Sequence, residues 1–201
     1  MRPHSVRLAF VASLLVVLGP RAISAQNNGA EALPLIGSSG GTAFTRQCPQ
    51  GQVLTGIRTR AGLVIDALGV KCRPVNANGT LGGENEIGSL AGGTGGILSS
   101  GSCPQGSVVG GQGGTRLPVG VSMFELRCKR WDAGTRRWTG TVTAYVRVIS
   151  GSGAPGVLLA TSAHSKISEI ADCSRAGQPA VLLRGRAGAV IDAAGFTCNE
   201  P

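Results

Sequence analysis

Six cysteines are the residues of this chain whose spacing most directly suggests chemistry. They form three pairs separated by 24, 25 and 25 residues, namely Cys48 and Cys72, Cys103 and Cys128, and Cys173 and Cys198. Cysteines can form disulfides, bind zinc or act as nucleophiles. The stretch inside each pair repeats one pattern, which in the first pair reads CPQGQVLTGIRTRAGLVIDALGVKC. Because equivalent cysteines of a repeated unit are expected to pair within that unit, the repeat favours these three pairings among the 15 that six cysteines allow.

The amino terminus decides between the three kinds of cysteine chemistry. Arg2 and Arg7 form a positively charged start before a short apolar stretch, 8–18, and Ile23-Ser24-Ala25 offers a cleavage site. This pattern predicts a signal peptide over residues 1–25, a secreted or periplasmic protein, and no membrane insertion. In an oxidising compartment the cysteines are expected to form disulfides, each worth about 3 kcal/mol. A metal site is not expected, because there is no C-x-x-C motif and His164 is the single histidine after the signal peptide.

Charge and composition argue against nucleic acid as a partner. The net charge of +9 falls to +6 without Arg2, Arg7 and Arg21, and the basic residues are scattered. Aromatic residues make up 3% of the chain, which leaves few rings to stack on bases. The positive charge is therefore interpreted as a contribution to solubility.

Each repeated stretch is predicted to form two strands joined by a turn. In the first, the β-favouring segment 53–59 and the apolar segment 65–70 flank the turn Arg60-Ala61-Gly62. Outside the repeats, 139–149 gives the clearest strand signal, after a hairpin tip at Ala133-Gly134. The segment 166–172 is the only helix candidate, and strand is favoured there because its equivalent in the first repeat is extended.

The domain boundaries follow from the repeats. Residues 26–36 are predicted to be a loose lead-in, and 37–201 a single domain with repeats at about 37–78, 79–138 and 157–201. The longer spacing before the third repeat predicts a hairpin or loop excursion within 131–156. A unit of this size cannot bury its own apolar face, so the three units are expected to pack around a pseudo-three-fold axis.

A glycine turn, a strand pair and an Arg-x-Gly-x-x-x-Asp-Ala motif together resemble the jacalin-type lectins, including the three-repeat algal lectins of that fold. Vitelline membrane outer layer proteins are similar in shape. The resemblance covers most of 37–201. It implies an all-β fold, a β-prism of three short antiparallel sheets with pseudo-three-fold symmetry, to which the cysteine repeat adds one disulfide per repeat.

The resemblance also implies where a sugar would bind, in a pocket between a glycine-rich turn and a G-x-x-x-D loop. The matching residues in this chain belong to two loops and two glycine turns: Gly62, Asp66, Gly188, Asp192, Gly40, Gly41, Gly92 and Gly93. In the second repeat the equivalent positions hold Pro118 and Ser122, so no third site is expected. Sugar-binding members commonly place an aromatic residue in this loop, whereas this chain has Leu63 and Val64, or Ala189 and Val190.

Each of these residues also has a purely structural interpretation. Asp66 and Asp192 could cap their own turns by accepting backbone N–H bonds. The arginines beside the turns (Arg58, Arg60, Arg184 and Arg186) could form a rim that attracts acidic glycans or could be solvated strand residues. Trp131 and Trp138 could stack on a sugar or form a small core under the hairpin. Asn78-Gly79-Thr80 is a glycosylation sequon or a turn.

The sequence therefore predicts a secreted, non-catalytic carbohydrate-binding protein that needs no cofactor, with glycans or glycoconjugates as partners. The alternative is a structural or protein-interaction scaffold of the same fold without a sugar site. A glycan-active enzyme would need two carboxylates at a defined separation, and the only matched pair comes from different repeats.

Overall fold

The computed structural model describes residues 29–162, 164–175 and 177–201, and the predicted signal peptide lies outside them. These residues form strands and turns and contain no helix, so no helix in this part of the chain could cross a membrane. The strands are β1 (Glu31–Ala32), β2 (Ile36–Gly37), β3 (Thr42–Gln47), β4 (Gln52–Ala61), β5 (Ile65–Pro74), β6 (Asn85–Gly92), β7 (Ile97–Ser102), β8 (Ser107–Leu117), β9 (Gly120–Asp132), β10 (Arg137–Ile149), β11 (Gly156–Ala160), β12 (Glu169–Asp172), β13 (Ala180–Ala187) and β14 (Ile191–Cys198).

The strands form three antiparallel sheets, and each sheet has the hairpin of one repeat at its centre. The first sheet has the order β6-β5-β4-β7, and the second has the order β11-β10-β9-β8-β12. The third has the order β1-β14-β13-β3, and β2 also pairs with β14. The prediction of an all-β fold with three antiparallel sheets is confirmed.

The sheets interlock, because the strand before each repeat pairs with the hairpin of the neighbouring repeat. β7 precedes Cys103 but pairs with β4 of the first sheet, and β12 precedes Cys173 but pairs with β8 of the second. β3 precedes Cys48 and pairs with β13 of the third sheet, which closes the ring. The sheets are therefore offset from the sequence repeats by one strand.

The amino-terminal segment completes the third sheet. β1 and β2 pair with β14, and the N–H of Leu33 donates to the carbonyl of Phe196 at 2.9 Å. Leu33 and Ile36 are buried in the core. The described part of 26–36 is thus ordered, in contrast to the loose lead-in predicted from the sequence. Its apolar side chains fill the core, and its backbone satisfies the edge of β14.

A single main core lies between the three sheets. Its largest fully buried side chains include Leu54 and Ile57 of the first sheet, Phe124 of the second, and Leu183 and Phe196 of the third. The rings of Phe124 and Phe196 are 5.3 Å apart between centroids. This contact joins the second and third sheets at the centre, as an aromatic pair typically does.

The three disulfides lie where the chain crosses from one sheet to the next. Their pairings are Cys48–Cys72, Cys103–Cys128 and Cys173–Cys198, with Cα–Cα distances of 5.8, 5.5 and 5.8 Å. The pairings predicted from the repeat are confirmed. The first cysteine of each pair follows the outer strand of one sheet, and the second lies on the hairpin of the next sheet. Each bridge therefore clamps two sheets together at a corner.

The excursion of the third repeat begins after β10. The hairpin of β9 and β10 is long, with its tip at Ala133-Gly134, as predicted. The segments from Gly92 to Cys103 and from Ile149 to Cys173 are equivalent, because each leads to the first cysteine of a repeat. The first segment consists of one turn and β7, whereas the second contains β11 and a further loop before β12. The extra residues thus fall mainly between 150 and 168 rather than within 131–156. The strand predicted over 139–149 lies inside β10, and β12 covers the last four residues of 166–172.

Candidate functional site

The predicted aspartates lie directly after two hairpin loops. The first loop, between β4 and β5, is closed by the N–H of Gly62 donating to the carbonyl of Val64 at 2.9 Å. The second, between β13 and β14, is closed in the same way from Gly188 to Val190 at 3.0 Å. Asp66 and Asp192 are the second residues of the strands that follow. Because main-chain bonds close both loops, neither carboxylate is needed to close its own turn.

Each aspartate lies against one glycine turn. The carbonyl of Asp66 accepts the N–H of Gly93 at 2.8 Å, and the carbonyl of Asp192 accepts the N–H of Ser38 at 2.8 Å. The turn at 92–96 belongs to the second repeat in sequence but packs against the aspartate of the first repeat. The structure brings together Gly62, Asp66, Gly92 and Gly93 in a first site, and Gly188, Asp192, Gly40 and Gly41 in a second site.

The carboxylates occupy space that only glycine leaves open. A Cβ added at Gly95 would lie 2.7 Å from Oδ1 of Asp66, and one at Gly96 would lie 2.5 Å from Oδ2. In the second site, a Cβ at Gly40 would lie 2.5 Å from Oδ1 of Asp192, and one at Gly41 would clash with Oδ2. Real Cβ atoms essentially never approach other atoms so closely. Each site therefore holds its carboxylate in a glycine cradle, formed by Gly95 and Gly96 around Asp66 and by Gly40 and Gly41 around Asp192.

The carboxylate oxygens in these cradles are not used by the protein itself. Oδ2 of Asp66 is buried and has no hydrogen-bond partner. Among the described residues, the Asp192 side chain likewise makes no hydrogen bond, although its oxygens are not fully buried. A buried acceptor without a partner destabilises the fold by about 1–3 kcal/mol. Such a group indicates either a ligand or an ordered water that supplies the missing hydrogen.

Two arginines brace the glycine turns. Arg60 donates from Nη1 to the carbonyls of Thr94 and Gly96, at 3.1 Å each. Arg186 donates from Nε to the carbonyl of Gly40 at 2.7 Å and from Nη2 to that of Gly41 at 2.6 Å. Both arginines therefore hold the turns in place instead of forming a free cationic rim. The sequence contained a signal for this role, because both lie two residues before the loop glycine.

The other two arginines of the predicted rim are also occupied. Arg58 forms an ion pair with Glu86, with 3.0 Å between Nε and Oε2. Arg184 donates from Nη2 to the carbonyl of Leu33 at 2.5 Å and so anchors the amino-terminal segment. Each of the four arginines thus makes at least one contact within the protein, and Arg58 alone among them pairs with a carboxylate in the described residues.

The third pseudo-equivalent position has no carboxylate. The carbonyl of Ser122 accepts the N–H of Ser150 at 3.2 Å, the same role that Asp66 and Asp192 play in their sheets. The Ser122 hydroxyl donates to the carbonyl of Thr115 at 3.1 Å and is therefore satisfied within its own hairpin. The structure thus contains three similar frames but only two carboxylate cradles.

Comparison with solved structures relates this three-sided arrangement to known proteins. Over 88% of this chain and 98% of the other, it superimposes on single-chain recombinant jacalin with a TM-score of 0.50 at 13% identity. A prostate-specific WGA16 glycoprotein lectin gives 0.50 at 17% identity, over 86% and 99%. Malaysian banana lectin gives 0.48 at 18% identity, over 86% and 100%. The chain has the jacalin-type β-prism fold. No protein-family model and no curated protein matches its sequence.

In this β-prism the two candidate sites lie at the same end. A Cβ at Gly93, in the turn of the first site, would clash with the carbonyl of Ala189 in the loop of the second. An open cleft of about 570 Å³ adjoins the second site, between Gly37–Ser39 on one side and Arg116–Pro118 on the other. The glycine turn of the first site and the loop of the second are therefore in contact.

The loops themselves contribute no aromatic side chain. Leu63, at the tip of the first loop, is 75% exposed, and Ile97 at the end of the adjacent glycine turn is 60% exposed. These two apolar side chains flank the first cradle, whereas the second loop presents only Ala189 and Val190 at its tip. The two sites thus differ in their apolar surroundings although their cradles are alike.

The described residues contain neither a free thiol nor a cluster of metal-binding side chains. All six cysteines are in disulfides, and no group of three or more His, Cys, Asp and Glu side chains gathers there. His164 accepts the N–H of Lys166 on its Nδ1 at 3.1 Å, which engages it in a local turn. The described part of the β-prism therefore offers neither a thiol nucleophile nor a cluster of metal ligands.

Proposed function

We propose that this protein is an exported, non-catalytic carbohydrate-binding protein that binds sugar in the two aspartate cradles. The observation that carries the proposal is the half-buried Asp66 side chain, whose carboxylate lies inside a turn of glycines and makes no hydrogen bond within the described residues. Sugar hydroxyls are hydrogen-bond donors of the kind that such a carboxylate lacks. The Asp192 cradle repeats the arrangement, so one ligand chemistry accounts for both sites.

The glycine turns are suited to this role because they lack side chains. A ligand can approach the backbone closely where no Cβ intervenes. Arg60 and Arg186 donate hydrogen bonds to carbonyls of the glycine turns and so hold the turns in place. This limits the conformational entropy that binding would cost. A hydroxyl group that enters either cradle would meet a fixed carboxylate and an accessible main chain.

A single sugar is expected to bind weakly. No aromatic side chain is present in either loop to pack on a sugar ring, so affinity would depend on hydrogen bonds that compete with water. The two sites at one end of the β-prism offset this weakness. A ligand that spans both would gain from its high effective concentration at the second site.

Export is supported by the three disulfides together with the features of the amino terminus. Disulfides persist in oxidising compartments and are rare where thiols are kept reduced. All six cysteines are buried in the main core. We therefore place the protein outside the cytosol, as secreted or periplasmic.

A second function is favoured by a specific feature of the first site. Leu63 in the loop after β4 is 75% exposed, and Ile97 and Leu98 at the start of β7, which pairs with the end of β4, are 60% and 54% exposed. Exposed apolar side chains grouped in this way are typical of protein-interaction surfaces. An interaction scaffold of the same fold would use these side chains and leave the aspartates without a ligand.

A glycan array separates the two functions. The oxidised mature protein is compared with the double variant Asp66→Ala/Asp192→Ala and with Glu86→Ala, which removes a carboxylate that is half exposed and outside both cradles. We expect binding by the wild type and by Glu86→Ala, and loss of binding by the double variant. Binding that survives the double substitution would refute the site assignment, and no binding by the wild type would favour the scaffold.

A further inference from the structure

The outer face of the second sheet carries a cleft that shares no residue with the aspartate cradles. It is an open cavity of about 490 Å³, and we call it the sheet-two cleft. Its polar and aromatic lining consists of Arg127 and Lys129 from β9, Trp138 and Tyr145 from β10, and Asp172 from β12. The side chains therefore come from three different strands of one sheet.

Two glycines of β8 lie against the side chains that line this cleft. A Cβ at Gly110 would lie 2.7 Å from the Lys129 side chain and 2.9 Å from the Trp138 ring. A Cβ at Gly111 would clash with the carboxylate of Asp172. Because these positions carry no side chain, the charged groups of β9 and β12 lie down across the sheet instead of pointing into solvent.

The charges in the cleft do not balance. Oδ1 of Asp172 lies 2.8 Å from Nε of Arg127 and 3.5 Å from Nζ of Lys129, so one carboxylate serves two cations. Both cations are only 14% exposed, and Asp172 is 37% exposed. One unit of positive charge is therefore held in a partly desolvated position, where it attracts an anion more strongly than a solvated lysine does.

The aromatic rings add an apolar surface beside these charges. Arg127 lies over the Tyr145 ring at 5.6 Å, and Lys129 lies over the Trp138 ring at 5.7 Å. Such cation–π contacts fix the positions of both cations. Trp138 also donates from its indole N–H to the carbonyl of Arg175 at 3.3 Å, which fixes the ring itself. The cleft is thus a largely preorganised combination of cations, an acceptor and rings.

We propose that the sheet-two cleft binds a carboxylated sugar, a hexuronate unit. Its carboxylate would pair with Lys129 and Arg127, a ring hydroxyl would donate to Asp172, and its apolar face would lie against Trp138. The single negative charge matches the excess of one positive charge. A phosphate or sulfate dianion fits less well, because Asp172 would repel the second charge. The proposal is independent of the aspartate cradles.

Tryptophan fluorescence provides a direct test, because the chain has two tryptophans and only Trp138 lines the cleft. Trp131 is 5% exposed in a small core against which Trp138 also packs, so the variant Trp131→Phe isolates the signal of Trp138. The oxidised mature protein is titrated with methyl β-D-glucuronide, with methyl β-D-glucoside as the neutral control and with acetate as the bare carboxylate. We expect a saturable change with the glucuronide that is at least about tenfold tighter than with either control, the range of one charge-assisted hydrogen bond.

Variants identify the residues responsible. Lys129→Gln is expected to weaken glucuronide binding by at least about tenfold, and Lys129→Arg, which keeps the charge, is expected to retain most of it. Lys166→Gln is the matched control, since Lys166 is exposed and outside the cleft. A thermal unfolding curve accompanies each variant. If Lys129→Gln fails to fold, the affinities of the wild type for the three ligands still decide the question.

Two results would overturn the proposal. Equal affinity for acetate and glucuronide would show a simple anion site without sugar recognition. No saturable change with glucuronide, checked by calorimetry, would show that the cluster is only a structural ion-pair network. The Asp66→Ala/Asp192→Ala variant should keep glucuronide binding in the sheet-two cleft, so failure of this proposal and failure of the cradle sites are distinguishable.

Discussion

The glycine cradle at Asp66 can be filled by a single methyl group. Gly95→Ala would place its Cβ 2.7 Å from Oδ1 of Asp66, compared with an ordinary contact distance of 3.4–4 Å. The carboxylate must therefore move by about 0.7 Å or more, which would break a hydrogen bond of about 2.7–3.2 Å to a ligand. A hydrogen bond to a charged group contributes about 1.5–3 kcal/mol. We expect sugar affinity at this site to fall by about 10- to 100-fold.

The fold should tolerate the same substitution. Gly95 does not have the positive φ that disfavours other residues, and Asp66 makes no side-chain hydrogen bond that would be lost. We expect the free energy of unfolding to change by less than about 1 kcal/mol. Gly83→Ala is the control, because a Cβ at Gly83 meets nothing within 4 Å. Gly40→Ala repeats the test at Asp192, where the Cβ would lie 2.5 Å from Oδ1.

Titration calorimetry with the tightest neutral glycan from the array, together with thermal unfolding, measures both quantities. If Gly95→Ala and Gly40→Ala, separately and combined, left the affinity and stoichiometry unchanged, the carboxylates would not be the ligand-binding groups. A large loss of stability with normal binding would contradict the same reasoning. Gly83→Ala should alter neither quantity.

Three further predictions concern stability. Arg147 and Glu125 form a buried ion pair with 2.6 Å between Nε and Oε2. Arg147→Met should lower the free energy of unfolding, measured by chemical denaturation, by about 3–5 kcal/mol, because it leaves the Glu125 charge buried without its partner. Adding Glu125→Leu should restore most of that loss. Equal stability of the single and double variants would contradict this. Replacing Cys103 and Cys128 with alanine should lower the free energy of unfolding by about 2–5 kcal/mol, and no change would show that the bridge does not clamp the corner. Although burial, the largest single influence, raises the pKa of Glu84, the combined hydrogen bonds from lysine, serine and threonine side chains hold it below its usual value. The charged Glu84 side chain therefore contributes its full stabilisation of the fold above the unfolded pKa of about 4.3, and this contribution is lost as the pH falls through the folded pKa. Between neutral pH and acid, Glu84→Gln should thus lose less stability than the wild type, with the difference developing below about pH 4. An identical acid profile for the variant and the wild type would refute this.

The strands and disulfides were predictable because their signals are local. The repeated cysteines gave the pairing, and the β-favouring segments between them gave the central hairpin of each sheet. The offset of the sheets by one strand could not be seen in the same way, because pairing across a corner depends on three-dimensional closure. One signal for it existed, since Gly92 precedes Cys103 by the same number of residues as Gly37 precedes Cys48.

The amino-terminal strands were missed for a different reason. β1 and β2 have two residues each, which is too short for a period-two pattern to emerge. Their order comes from pairing with β14 and from burial of Leu33 and Ile36, both of which are long-range effects. Local propensity alone therefore could not predict them.

The candidate site was predictable in its residue types but not in its contacts. The resemblance predicted Asp66, Asp192 and glycines of both turns, but it did not name Gly95 and Gly96, which lie against the Asp66 carboxylate. The turn that packs against each loop depends on the closure of the ring. The roles of Arg60 and Arg186 in bracing the turns, and the sheet-two cleft, combine residues distant in sequence. Side-chain clusters of this kind become visible only when strands from different repeats are adjacent.

The most direct test of the central claim is the number of neutral-sugar sites per chain, measured by titration calorimetry of the oxidised mature protein. We predict two sites in the wild type, one in Asp66→Ala, one in Asp192→Ala and none in the double variant. A stoichiometry that stays the same when either aspartate is removed would contradict the assignment of the sugar sites to these two cradles.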